Sequence, residues 1–80
     1  MVKVSYTHNF KKIFNKIHDQ SYQKKIKTQM KKIIENPLIG KPMRYDRRES
    51  RQVYIKPYRL SYGYKNDEII FLDIYHKDEQ

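Results

Sequence analysis

The residues with most chemistry to offer lie in Arg51-Gln-Val-Tyr-Ile-Lys-Pro-Tyr-Arg-Leu-Ser-Tyr-Gly-Tyr64, which brings together two arginines, a lysine and four tyrosines. Cationic side chains hold phosphate oxygens and aromatic rings stack on bases, so this stretch is a candidate RNA surface. Cleaving RNA without a metal takes three acts. A base removes the proton of the 2′-hydroxyl, a cation balances charge building on the phosphoryl oxygens, and an acid protonates the leaving 5′ oxygen. Arg59, always cationic, suits the second act, with Arg44 or Lys56 assisting. His76 carries the one type of side chain that ordinarily titrates near neutrality, and it can take either proton transfer. Tyr54 and Tyr75 can stack on a base beside the scissile bond or hydrogen-bond the phosphate.

These residues have competing uses. Arg59 can pair across strands with Asp73, and His76 stands near a chain end, where histidines are commonly just exposed. His8 and His18 sit by helix termini and read as structural or solvent-facing, while Tyr58, Tyr62 and Tyr64 share the face of Leu60 and read as packing. No His, Asp or Glu cluster has metal-ligand spacing, and two glycines make no phosphate-binding loop, so no metal and no cofactor is expected.

The elements that position these groups follow from periodicity. Val2, Val4 and Tyr6 alternate with Lys3 and Ser5 as in a strand with one buried face. Thr7 can cap a helix that places Phe10, Ile13, Phe14 and Ile17 on one stripe. Asp19 can cap a second, with Tyr22, Ile26, Met30, Ile33 and Ile34 on its stripe, closing before Asn36-Pro37. The short connection between the helices implies an antiparallel hairpin. Leu38-Ile39-Gly40-Lys41-Pro42 reads as a turn, and the charged residues up to Ser50 as a loop. Two alternating runs follow, and Lys65-Asn66-Asp67 turns the chain into a last strand, Glu68 to Tyr75.

The order strand, helix, helix, strand, strand, strand predicts an α+β domain spanning 1–80. Its N-terminal strand joins a mainly antiparallel four-stranded sheet, with the helical hairpin packed on one face (β-α-α-β-β-β). Parity sends Val53, Ile55, Leu60, Tyr62, Ile70, Leu72 and Ile74 toward the helices. It leaves Gln52, Tyr54, Lys56, Arg59, Ser61, Asp73 and Tyr75 on the opposite face.

Composition narrows the partner. Eighteen Lys and Arg against nine Asp and Glu give a formal charge of +9, which suits a polyanion. The lysines from Lys11 to Lys32 read as a solvated helical surface. Between Lys41 and Lys56 arginine prevails, as Arg44, Arg47, Arg48 and Arg51, and its planar fork suits phosphate. The absence of cysteine points to a reducing cytoplasm, and no apolar run reaches the roughly 18 residues of a membrane span, so a soluble intracellular protein is expected.

Asn36-Pro-Leu-Ile-Gly-Lys-Pro-Met-Arg-Tyr45, Val53-x-Ile55, Tyr58-Arg-Leu-x-Tyr62 and the closing Glu68-Ile-Ile-Phe-Leu-Asp-Ile-Tyr-His-Lys77 resemble the RelE/ParE superfamily of toxin-antitoxin toxins over essentially the whole chain. The RelE branch implies a metal-independent endoribonuclease that cleaves mRNA in the ribosomal A site and so inhibits translation. It also implies an acidic RelB-like antitoxin partner in a hetero-oligomer. Carried over by the resemblance, Arg59 stabilises the reacting phosphate, Arg44 and Lys77 supply further cations, and His76 is an acid or base. Lys56, Tyr54, Arg51, Arg48 and Tyr75 are expected to bind RNA. Two departures stand out: Gln52 and Tyr54 occupy positions where the strongest mRNA cleavers often carry lysines, and the chain stops at Gln80, short of a C-terminal tyrosine used by some members. The alternatives are a ParE-like inhibitor of DNA gyrase and an RNA- or ribosome-binding protein whose catalytic set has decayed.

Overall fold

Two side-chain caps set the helical hairpin, in a computed structural model that describes residues 2–42 and 50–76. The Thr7 side chain accepts from the Phe10 N–H at 3.0 Å and opens α1 (His8–Lys16). Asp19 Oδ1 accepts from the Tyr22 N–H at 3.2 Å and opens α2 (Gln20–Glu35). Each cap satisfies one of the donors that a helix start leaves orphaned, worth about 1 kcal/mol. Between the helices, Gln23 Nε2 donates to Ile17 O at 2.6 Å and to Phe14 O at 3.4 Å. One polar side chain of α2 thus meets the Ile17 carbonyl and adds a second donor to the Phe14 carbonyl, which already accepts from the Ile17 N–H. Asn36 closes α2 ahead of Pro37, as the restriction on residues preceding proline requires.

The sheet has five strands: β1 (Lys3–Tyr6), β2 (Lys41–Pro42), β3 (Ser50–Ile55), β4 (Tyr58–Lys65) and β5 (Glu68–His76). They lie in the order β1-β5-β4-β3-β2, with β1 parallel to β5 and every other pair antiparallel. The α+β architecture matches the sequence reading, with one addition. Residues 41–42, read as part of a turn, pair with Gln52 and Arg51 as a short fifth strand. Between β4 and β5 the turn residues Asn66 and Asp67 both have positive φ, 53° and 61°, the combination of a tight two-residue hairpin turn whose twist matches its strands.

β5 departs from simple alternation. Ser61 pairs with Asp73, but Tyr62 pairs with Phe71, so Leu72 is an extra residue on β5. Such a bulge reverses which parity faces the core. Ile69 and Phe71 on one side of it are fully buried, and so is Ile74 on the other, whereas Ile70 and Leu72 are only half-buried. The expectation that Ile70 and Leu72 join the core is therefore corrected to Ile69 and Phe71. Thr7 secures the irregular segment: its N–H donates to Phe71 O at 3.0 Å and its hydroxyl to Leu72 O at 2.7 Å. The residue that starts α1 thereby also pins it to β5.

The core gathers Phe10, Ile26 and Ile33 from the helices with Ile55, Leu60, Tyr62, Ile69, Phe71 and Ile74 from the sheet. Each such burial contributes about 1.5–3 kcal/mol relative to exposure. At one edge, buried Tyr62 donates its hydroxyl to Pro37 O at 2.7 Å and accepts from the Gly40 N–H at 3.0 Å. Gly40 is pressed so closely against this ring that an added Cβ would come within 2.7 Å of the hydroxyl and 3.0 Å of Gln52 O. Gly40→Ala must displace a buried ring or a strand backbone. The expected loss is about 1–3 kcal/mol, read as a lower midpoint in urea unfolding.

Burial raises the pKa of Tyr62 above its usual value, although the Gly40 N–H and the positive charge of Arg51 pull it back in part. Burial also raises that of Tyr22. In both cases the folded pKa exceeds the unfolded one. The stability gained by keeping these phenols neutral is complete below about pH 10 and is lost as pH rises through the folded values. Urea midpoints measured from pH 8 to 11.5 should fall above about pH 10, and the fall should be shallower in Tyr62→Phe.

Candidate functional site

The helices cover one face of the sheet, and Arg59 lies on the other. Its neighbours are set by register: Tyr54 pairs with it from β3 and Tyr75 from β5, so the three side chains project from the same face in a row across three strands. The Arg59 guanidinium carbon stands 5.9 Å from the centre of the Tyr54 ring, within cation–π range. Tyr75 donates its hydroxyl to Gln52 Oε1 at 2.8 Å. Because Gln52 pairs with Ser61, two residues along β4 from Arg59, that bond crosses diagonally over β4 and fixes the Tyr75 ring beside the arginine.

The Arg59 Nε is buried and, among the described residues, has no hydrogen-bond partner, and a buried donor left open costs about 1–3 kcal/mol or more when charged. Asp73, the cross-strand candidate for pairing with Arg59, is held elsewhere. Its Oδ1 accepts from Asn9 Nδ2 at 2.9 Å and from the Ile74 N–H at 2.8 Å. The competing pairing of Arg59 with Asp73 is therefore not the one made. The arrangement presents a cation flanked by two tyrosines, suited to a phosphate with a base stacked alongside. Tyr54, 52% exposed, is the accessible ring.

Several sequence candidates stand apart from this cluster. Arg51 pairs with buried Tyr62, and its Nη1 donates to Gly40 O at 2.8 Å and to Leu38 O at 3.3 Å, so it clamps the loop after α2 instead of standing beside Arg59. His76 pairs with Tyr58, not with Arg59. Its ring meets Tyr58 edge-on at 5.6 Å, and Tyr58 packs at 5.2 Å on Tyr22 of α2. His76 thus belongs to an aromatic group on the helix side of the sheet. Tyr22 in turn donates its hydroxyl to Ile55 O. Lys56 is exposed in the β3–β4 turn. Arg44, Arg48 and Lys77 lie outside the described residues. Sequence reasoning missed the Tyr75–Gln52 bond and the hold of Asn9 on Asp73. Parity had placed Gln52 and Tyr75 on one face, but nothing in the sequence marks Asn9.

This fold is shared with solved toxins. The isolated RelE toxin of E. coli superposes with a TM-score of 0.82 at 13% identity, over 100% of this chain and 88% of that one. A YoeB/ParE toxin from Agrobacterium tumefaciens gives 0.79 at 13% identity, over 94% and 98%. A chain of the E. coli DinJ–YafQ complex gives 0.79 at 18% identity, over 98% and 96%. At these identities the likeness defines the class of fold, that of small α+β toxins. The family model for the ParE toxin of type II toxin-antitoxin systems, parDE, matches residues 4–80, and the chain belongs to that family within the RelE/ParE superfamily. Among curated protein sequences none matches significantly.

Proposed function

We propose that this toxin is a ribosome-dependent endoribonuclease that cleaves mRNA in the A site, with Arg59 as the residue that neutralises the reacting phosphate. The observation that carries this reading is the Arg59 Nε, buried between Tyr54 and Tyr75 and without a hydrogen-bond partner among the described residues, with Asp73 engaged by Asn9. When the 2′-oxygen attacks phosphorus, negative charge grows on the two non-bridging oxygens. A preorganised guanidinium meets that charge without reorganising. The P–O5′ bond breaks, leaving a 2′,3′-cyclic phosphate and a 5′-hydroxyl, and one proton passes from the attacking to the leaving oxygen.

The phenols of Tyr54 and Tyr75 are the groups beside Arg59 that can relay that proton or hold the flanking base, while Lys56 adds attraction for the backbone from the hairpin tip. His76 meets substrate only at the sheet end, on the side of Tyr58. Arg44, Arg48 and Lys77 are proposed as additional phosphate contacts. The partners in this reading are mRNA on the ribosome and an acidic antitoxin in a cytoplasmic hetero-oligomer, in keeping with the toxin-antitoxin family and the DinJ–YafQ likeness.

The ParE family match favours a second reading, inhibition of DNA gyrase. Parallel reactions separate the two. Purified toxin added to a translation extract should shorten the mRNA, and the same toxin added to gyrase should leave plasmid supercoiling unchanged. Inhibited supercoiling with intact mRNA reverses the assignment.

A further inference from the structure

The Tyr75–Gln52 bond also sets which half of an amide a ligand can meet. A glutamine side chain carries an acceptor oxygen and a nitrogen with two donors. In Gln52 the oxygen is engaged, since Oε1 accepts from the Tyr75 hydroxyl at 2.8 Å. The nitrogen bonds to none of the described residues, and the side chain is only half-buried, so two N–H donors remain accessible. Gln52 addresses a ligand as a donor alone. It does so beside the reactive group. Gln52 pairs with Ser61, two residues from Arg59 on β4, a separation of about 7 Å at 3.4 Å per residue. It is also two residues from Tyr54 on the same face of β3, and Tyr54 is the exposed ring on which a base can stack. A nucleotide with its phosphate on Arg59 and its base on Tyr54 therefore brings a base edge within reach of Gln52.

We propose that Gln52 reads this flanking base and selects guanine, with Tyr75 fixing the choice; the proposal rests on the reading of the Arg59 face as an RNA-cleaving site. In single-stranded RNA the Hoogsteen edge of a purine is open to side chains. Guanine presents two acceptors there, O6 and N7, whereas adenine presents N7 beside the N6 amino group. A glutamine with both halves free pairs with adenine, its oxygen accepting from N6 and its nitrogen donating to N7. Gln52 does not make that pair while Tyr75 holds its oxygen. Its two donors match O6 and N7 of guanine, and against adenine one of them meets an amino group. Tyr75 is here a positioning residue, acting on the base through the amide.

The test scores cutting of a message with a randomised codon in the ribosomal A site. The ratio of guanine to adenine beside the cut is taken within each variant, so a change in overall rate cancels. Wild type should favour guanine about fivefold or more, toward the lower end of what one base contact discriminates. Gln52→Leu removes the amide and should abolish the preference. Gln52→Lys, which has donors and no acceptor, should keep it. Tyr75→Phe keeps the ring, frees Oε1 and should turn the preference toward adenine. A bond that only supports the ring would lower the rate in Tyr75→Phe and Gln52→Leu without moving the ratio, and that result overturns the proposal. Cutting by wild type with no base preference, or with a preference for adenine, overturns it too and leaves the nuclease reading intact. Circular dichroism establishes that each variant folds, and if Gln52→Leu does not, Tyr75→Phe decides. Absence of cutting by wild type refutes the nuclease reading; the affinities of wild type for two short RNAs that differ in a single guanine or adenine then decide the base reading, and equal affinities, or no binding, refute it.

Discussion

Arg59→Ala should lower the rate of mRNA cleavage by about 100- to 1,000-fold, the usual cost of removing one preorganised transition-state donor. Growth arrest on expression should disappear with it. The substitution relieves a buried Nε that has no hydrogen-bond partner among the described residues, at the loss of the cation–π contact with Tyr54. Thermal stability should hold or rise slightly, and that combination distinguishes a functional arginine from a structural one. Arg59→Lys is the sharper variant: it keeps the charge but loses the planar fork, and it should recover only part of the rate. Single-turnover cleavage of a defined mRNA on stalled ribosomes gives the ratio. A variant that cuts as fast as wild type removes Arg59 from the mechanism.

The largest expected effect on stability is at Phe71. Its ring is fully buried and packs at 5.6 Å against both Tyr6 and Phe10, and at 6.3 Å against Tyr62, so it joins β1, α1 and β4. Phe71→Ala should cost about 3–5 kcal/mol. Small domains have roughly 5–15 kcal/mol in total and those of this length sit toward the lower end, so much of the population should be unfolded at 37 °C. Leu72→Ala is the informative control. Simple alternation gives Leu72 the core position, whereas the bulge leaves it half-buried beside the fully buried Phe71. It should cost about 1 kcal/mol. Equal losses at Phe71 and Leu72, read from urea midpoints, contradict the register described for β5.

That pair of residues shows where the sequence stops being informative. The helices were legible because Thr7 and Asp19 are good caps and the apolar stripes of Phe10–Ile17 and Tyr22–Ile34 keep helical spacing. In β3 and β4 polar and apolar residues alternate, and parity placed Tyr54 and Arg59 together correctly. In β5, Ile69, Ile70, Phe71, Leu72 and Ile74 are apolar at both parities, so nothing marks the extra residue. β2 is a Lys-Pro pair with no periodicity to read, formed because Gln52 and Arg51 offer it a ladder.

The candidate site was legible to the same degree. Arg59 and Tyr75 lie together because their strands are adjacent, and the sequence order of the hairpin implies that. Arg51 shares the parity of Val53, and His76 that of Ile74, so both were already due on the helix side. What no pattern could supply is the hold of Asn9 on Asp73, which depends on α1 meeting β5 across 64 positions of sequence. That contact matters because it engages Oδ1 of Asp73, the cross-strand candidate for pairing with Arg59.

The central claim is that the face around Arg59 breaks an RNA backbone. The most direct measurement maps mRNA ends after purified toxin is added to ribosomes translating a defined message. New 3′ ends inside the A-site codon, carrying 2′,3′-cyclic phosphate, are expected in the wild-type reaction and not in that of Arg59→Ala. Full-length message in both reactions, with ribosomes still translating, would contradict it.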